Sequence, residues 1–241
     1  MYLFTNTPTV TTTRRWQTAM EVFLGGIALV LSGWLLPGLL PGPLNWGVAI
    51  FCYALIGGLV TTYWPHGLLG WANRVTLARA VLVALVAGAL ANQAFMAAIW
   101  LWLAIAILAL LLDGVDGWLA RRTQSASPFG ARFDMELDAL LIMLLCVGLW
   151  LESISGWVVL IGGMRYLFVA AGWRFTWLTQ PLFASMRRKT VCVWQVVALL
   201  LALTPLTSSG VTEMLALSAL LSLAYSFGVD AWWLYRQAHA R

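Results

Sequence analysis

Long apolar runs, cut by short polar or proline–glycine breaks, set the rhythm of this chain. From Val22 to Asn73 no side chain carries a fixed charge, the titratable His66 aside. Pro37, Gly38, Pro41, Gly42 and Pro43 divide that stretch into two runs, roughly 20–37 and 46–64. Further runs fall at roughly 75–91, 95–112, 135–151, 156–173, 190–206 and 213–233. The breaks between them are Asn92-Gln93, an aspartate-rich stretch, Glu152-Ser153, the segment around Arg174–Arg188, and Pro205–Gly210. Crossing a bilayer as a helix takes about 20 mostly apolar residues. A backbone in lipid must satisfy its own hydrogen bonds, and no alternating pattern of barrel-strand length occurs. The pattern therefore predicts an all-α integral membrane protein with about eight transmembrane helices.

The charges in the breaks alternate. The N-terminal segment carries Arg14 and Arg15, the third break Arg74 and Arg79, and the fifth Arg121, Arg122 and Arg132. The seventh carries Arg174, Arg187, Arg188 and Lys189, and the C-terminus Arg236 and Arg241. The breaks between these have no basic residue, and the sixth has only Glu152. By the positive-inside rule the basic segments and both termini are expected in the cytoplasm; the expected location is the cell (inner) membrane, as a multi-pass protein. Arg14-Arg15 ahead of an apolar run resembles a signal peptide. The run is long for one, and PGLLPGPLNW offers no small-residue cleavage site, so a retained helix is expected.

Composition agrees with this. Of 241 residues, 62% are hydrophobic and 10% charged, against about 25% charged in a soluble domain. The net charge of +5 is scattered between apolar runs rather than gathered on one face, so nucleic acid is not an expected partner. Cys52, Cys146 and Cys192 each sit inside an apolar run and read as small hydrophobes, not as disulfides or a metal set. His66 and His239 have no partners at ligand spacing. Trp34, Trp46, Trp64, Trp71, Trp157 and Trp173 lie near the ends of predicted spans, where an aromatic belt belongs.

Against this background Asp113, Asp116, Asp134 and Asp138 stand out among only nine acids. The first pair is three apart at the end of one span, and the second is four apart at the start of the next. Each spacing puts both carboxylates on one helix face, and helices joined by a short loop run antiparallel as neighbours. The two pairs can therefore face each other. Four such carboxylates repel unless protonated or bridged, and hard cations such as Mg²⁺ or Mn²⁺ prefer carboxylate oxygens and recruit phosphates. Two ions could clamp a phosphoryl group during displacement. Gly117 and Gly130 would let a ligand approach the backbone, and Arg121 is placed to fork a phosphate. An EF-hand is excluded, because the alternate-position oxygens and closing Glu are missing.

The spacing Asp113-x2-Asp116-Gly117-x2-Ala120-Arg121-x8-Gly130-x3-Asp134-x3-Asp138 resembles, at every fixed position, the signature of the CDP-alcohol phosphotransferase (CDP-alcohol phosphatidyltransferase) family. Asn73-x2-Thr76-x2-Arg79 is similar to the motif that opens the family's first helix, although Ala72 stands where many members have Pro. The resemblance covers roughly Trp71 to the C-terminus. It implies a six-helix catalytic membrane domain over 71–241, preceded over 1–70 by an N-terminal cytoplasmic segment and two additional helices. It further implies phospholipid synthesis by transfer of a phosphatidyl group from CDP-diacylglycerol to an alcohol, with release of CMP. Asp113, Asp116, Asp134 and Asp138 match the ligands of two divalent metals, and Asp138 also matches the base that deprotonates the acceptor. Asn73, Thr76, Arg79, Gly117, Ala120, Arg121, Ser127 and Gly130 match positions around the CDP donor. A homodimer is implied by the resemblance alone.

The acceptor side is less constrained. Arg165 lies deep in its span, where a charge usually faces an interior cavity. Arg187, Arg188 and Lys189 precede the seventh span, and Lys189-Thr190 is similar to family members that use phosphorylated acceptors. Arg165, Arg188 and Lys189 are thus expected to bind an acceptor such as glycerol 3-phosphate or an inositol phosphate. Two other readings use the same acids. An intramembrane prenyltransferase would carry two well-separated aspartate motifs, not one compact block. A divalent-cation transporter would place acids or broken helices near mid-membrane.

Overall fold

The computed structural model describes residues 12–64, 67–123, 127–152, 155–180 and 185–239, without the side chains of 12–14, Ala120, Arg121 and Thr179. His66 and Arg241, both singled out above, lie outside the described residues, as does the Arg14 side chain. Among the described residues there are eight α-helices and no strand. They are α1 (Thr12–Leu35), α2 (Pro43–Tyr63), α3 (Trp71–Leu90), α4 (Ile99–Arg122), α5 (Pro128–Glu152), α6 (Val159–Arg174), α7 (Met186–Ala202) and α8 (Ser209–His239). Each predicted run has its helix, and the protein is all-α.

Among the described residues, five stretches are long and apolar enough to cross a membrane by length and composition: 15–35, 43–63, 71–119, 156–174 and 209–239. The third contains α3 and most of α4. Of the remaining helices, α7 is short at 17 residues, and α5 interrupts its apolar run with Glu136, Asp138 and Glu152. Phe23, Leu31, Phe51 and Leu221 are each more than half exposed. Large apolar side chains this exposed on long apolar helices fit a lipid surrounding rather than water.

The chain folds as two compact units, one within residues 4–141 and one within 142–241. In the first, α3 is the central helix and packs on α1, α2 and α4. It is apolar around most of its circumference, with Ala80, Val83, Ala84, Leu85 and Val86 at 1% exposure or less, as expected of a buried helix. Small residues set the spacing. A Cβ on Gly88 would lie 2.8 Å from the Asn45 backbone oxygen and from Ala49, so α2 and α3 meet where only glycine fits. Asn45 Nδ2 donates to Gly88 O (2.9 Å) and Ala91 O (2.7 Å), tying α2 to the carbonyls at the end of α3.

The chain then reverses at the expected break. Asn92 (φ 51°) and Gln93 (φ 55°) both adopt the left-handed conformation, which Asn tolerates better than most residues because its short polar side chain bonds locally. Trp102 of α4 is fully buried and donates its indole N–H to Val86 O (3.0 Å), with the Phe95 ring 5.1 Å away. In the second unit, α7 and α8 form a hairpin. A Cβ on Gly162 of α6 would lie 2.7 Å from Met143 Cα of α5, another close helix crossing.

Candidate active site

Three helix segments of the first unit build one polar site inside an apolar bundle. Asp113 and Asp116 occupy the last turns of α4. The start of α5 is fixed locally: Ser127 Oγ accepts the Gly130 N–H at 2.9 Å, and Pro128 takes the first helical position. Both are strong helix-start signals. Asp134 and Asp138 follow one turn apart. From α3, Asn73, Thr76 and Arg79 face them, all at least 96% buried.

Arg79 is the centre of the arrangement, with 1% exposure. Its Nε donates to Ala109 O of α4 (3.0 Å). Its Nη1 donates to Asp116 Oδ2 (3.0 Å), pairs with Asp113 Oδ1 (3.0 Å) and reaches Asp134. Its Nη2 donates to Asp138. Thr76 Oγ1 donates to the same Asp116 oxygen at 3.0 Å. Asp116 forms the floor of the site, 4% exposed, whereas the side chains of Asp113, Asp134 and Asp138 are 38%, 33% and 36% exposed. The cluster therefore has a closed base and an open mouth. Burial raises the Asp134 carboxyl above its ordinary range; the Arg79 guanidinium opposes that and the Asp113 charge adds to it.

The donor set fits a hard cation. One oxygen each from Asp113, Asp116 and Asp134 lie within 4.8 Å of one another. Four ionised carboxylates against one guanidinium leave a formal charge of −3, which Arg79 alone does not neutralise. All-oxygen, carboxylate-rich sets of this kind suit Mg²⁺ and Mn²⁺ rather than soft metals.

Of the other expected donor positions, Gly130 and Ser127 lie beside Asn73. A Cβ on Gly130 would lie 2.7 Å from Asn73 Oδ1 and 3.0 Å from Ser127 Oγ, so the missing side chain admits the Asn73 amide. Gly117 is half-buried in α4. The side chains of Ala120 and Arg121 lie outside the described structure. Arg165, Arg188 and Lys189 belong to the second unit. Arg165 is half-buried midway along α6, Arg188 Nη1 lies 3.8 Å from Asp230 Oδ2, and Lys189 is exposed at the start of α7.

Two carboxylates have ionic partners that were not anticipated from the sequence. Glu21 of α1 pairs with Arg74 of α3. Asp230 of α8, 4% exposed, pairs with Arg187, whose Nη1 also donates to Ser226 O (2.6 Å) and Ser226 Oγ (2.9 Å). The available signal was the scarcity of acids: a carboxylate inside an apolar run must find a partner.

The described residues thus form an all-α, membrane-compatible bundle that carries four aspartates on facing helix ends. The chain belongs to the CDP-alcohol phosphatidyltransferase family, whose model matches residues 69–229. It is also similar to ethanolaminephosphotransferase 1 of Homo sapiens, 51% identical over 43 residues, which is 17% of this chain and 11% of that protein. The Mus musculus protein of the same name gives the same figures. The chain thus spans about a tenth of the length of the curated relatives it matches. No solved structure matches it.

Proposed function

We propose that this protein transfers a phosphatidyl group from CDP-diacylglycerol to a small alcohol and releases CMP. The observation that carries the reading is the convergence of Asp113, Asp116, Asp134 and Asp138 around a buried base, in a chain of this family. These four residues would hold two divalent cations, Mg²⁺ or Mn²⁺, which when bound supply charge neutralisation to the donor pyrophosphate and the leaving CMP. Phosphoryl transfer depends more on positioning and charge than on covalent help from the protein.

Asp138, part-exposed at the mouth, takes the proton of the acceptor hydroxyl. The acceptor oxygen bonds to the phosphorus that carries diacylglycerol, and the bond from that phosphorus to the bridging oxygen breaks, leaving CMP. Asn73, Thr76, Arg79, Gly117, Ala120, Arg121, Ser127 and Gly130 shape the donor site. Arg165, Arg188 and Lys189 bind the phosphate of an acceptor such as glycerol 3-phosphate or an inositol phosphate. The enzyme acts in the cell (inner) membrane, with the site and both termini cytoplasmic, as a homodimer.

A second reading draws on the name of the relatives, which describes transfer of phosphoethanolamine. In that reading the CDP-linked partner would be the small alcohol, and a lipid alcohol the acceptor. Purified protein with Mg²⁺ or Mn²⁺ separates the two by CMP release. CDP-diacylglycerol with alcohols or alcohol phosphates tests the first, and CDP-ethanolamine with diacylglycerol tests the second. Folded protein that releases no CMP from any combination refutes both.

A further inference from the structure

The start of α3 has no cap of its own. Gly70 precedes it without a side-chain cap, and its first turn contains no acid. Helix N-termini carry unpaired N–H groups and favour a negative charge. That charge comes from α1. Glu21, with its side chain 11% exposed, accepts the Leu69 N–H on Oε2 (2.7 Å), and its Oε1 accepts Arg74 Nε (3.0 Å) and Nη2 (2.5 Å). The Arg74 guanidinium in turn lies over the Trp71 ring, 4.9 Å from its centroid. One helical turn earlier on α1, the fully buried Thr18 donates to Gly67 O (2.6 Å), which also accepts the Trp64 indole N–H (3.1 Å). Gly67 holds φ 84°, so this turn needs glycine.

The segment from Gly67 to Arg74 is therefore pinned by α1, an element ahead of the family match at 69–229. Arg74 is the neighbour of Asn73, and Thr76 and Arg79 follow within the next turn and a half. A helix transmits a shift of its first turn along its axis, and a misplacement of about 1 Å at a reacting centre can cost about a hundredfold in rate.

We infer that Glu21 is a positioning residue: through Arg74 and the Leu69 amide it sets the register of α3, and so the placement of Thr76 and Arg79 against the four aspartates. The kinetic part of this inference rests on the proposed phosphatidyl transfer; the metal-binding part does not. It also gives α1 a role in the site it does not itself enter.

The test uses the full-length protein in detergent and compares Glu21→Gln, Arg74→Gln and Tyr53→Phe with wild type. Arg74→Gln keeps the Glu21–Leu69 hydrogen bond. Tyr53→Phe removes a different α1 contact, from Tyr53 OH to Val22 O (2.7 Å), away from α3's first turn. Free Mn²⁺ is followed by electron paramagnetic resonance to give its affinity. Loss of a partner that directly orients a metal ligand costs about 10–100-fold in affinity, so Glu21, which acts through Arg74 and the α3 backbone on those partners, is expected to cost about three- to tenfold. The KM for the CDP donor rises in step while the acceptor KM stays at its wild-type value. Tyr53→Phe lowers Tm and leaves both constants unchanged. Glu21→Gln and Arg74→Gln proteins that lose Tm yet keep wild-type Mn²⁺ affinity would overturn the inference and leave Glu21 a structural staple. Wild-type protein that binds Mn²⁺ but releases no CMP would refute the proposed reaction, and the affinity comparison would still decide the role of Glu21.

Discussion

Replacing Arg79 with Gln tests how the carboxylate cluster is held. Its guanidinium contacts Asp113 and Asp116 at 3.0 Å and also reaches Asp134 and Asp138. At an effective dielectric of about 20, each 3.0 Å contact is worth about 5.5 kcal/mol of Coulomb attraction, and each pair among Asp113, Asp116 and Asp134, whose oxygens lie within 4.8 Å of one another, at least about 3.5 kcal/mol of repulsion. Desolvation offsets much of this, so removing one partner of a buried pair typically costs about 3–5 kcal/mol. Three of the carboxylates are about one-third exposed, which puts Arg79→Gln near the lower end, about 3 kcal/mol. For a chain of this size that lowers Tm by roughly 6–12 °C. The assay is intrinsic tryptophan fluorescence during heating, in EDTA and then in Mn²⁺. The variant should fall in EDTA and regain more Tm on adding Mn²⁺ than wild type does, because a cation replaces the lost positive charge. An unchanged Tm in EDTA would show that Arg79 does not hold the cluster. An equal Mn²⁺ increment in both proteins would show that the carboxylates are not competing ligands for guanidinium and metal.

Asp138→Asn should lower the rate of CMP release at least a hundredfold if Asp138 is the base; full turnover would remove it from that role. Ser127→Ala deletes the cap on Gly130 N–H and should cost about 0.5–2 kcal/mol, read as faster hydrogen exchange in the first turn of α5. Gly88→Ala forces a Cβ against the Asn45 backbone and should cost about 1–3 kcal/mol. Gly47→Ala, with open space around its Cβ, should instead gain about 0.5–1 kcal/mol; Tm measured on both gives opposite signs. Asp230→Asn leaves Arg187 without its carboxylate and should cost about 3 kcal/mol, with recovery in the Arg187→Met double variant.

The sequence by itself determined the helices and the family. Apolar runs and their breaks depend only on neighbours along the chain, so the Asn92-Gln93 reversal and the α4–α5 break around the aspartates could be placed without coordinates. The facing carboxylate pairs were equally legible, because i,i+3 and i,i+4 spacing fixes a helix face. Tertiary structure decided who neutralises whom. Arg79 was expected beside the donor; only packing of α3 against α4 and α5 puts its guanidinium among all four aspartates. The Glu21–Arg74 pair spans 53 residues and Arg187–Asp230 spans 43, and no local rule selects such partners. A buried charge is satisfied by whichever opposite charge the fold brings within reach, and helix packing sets that reach.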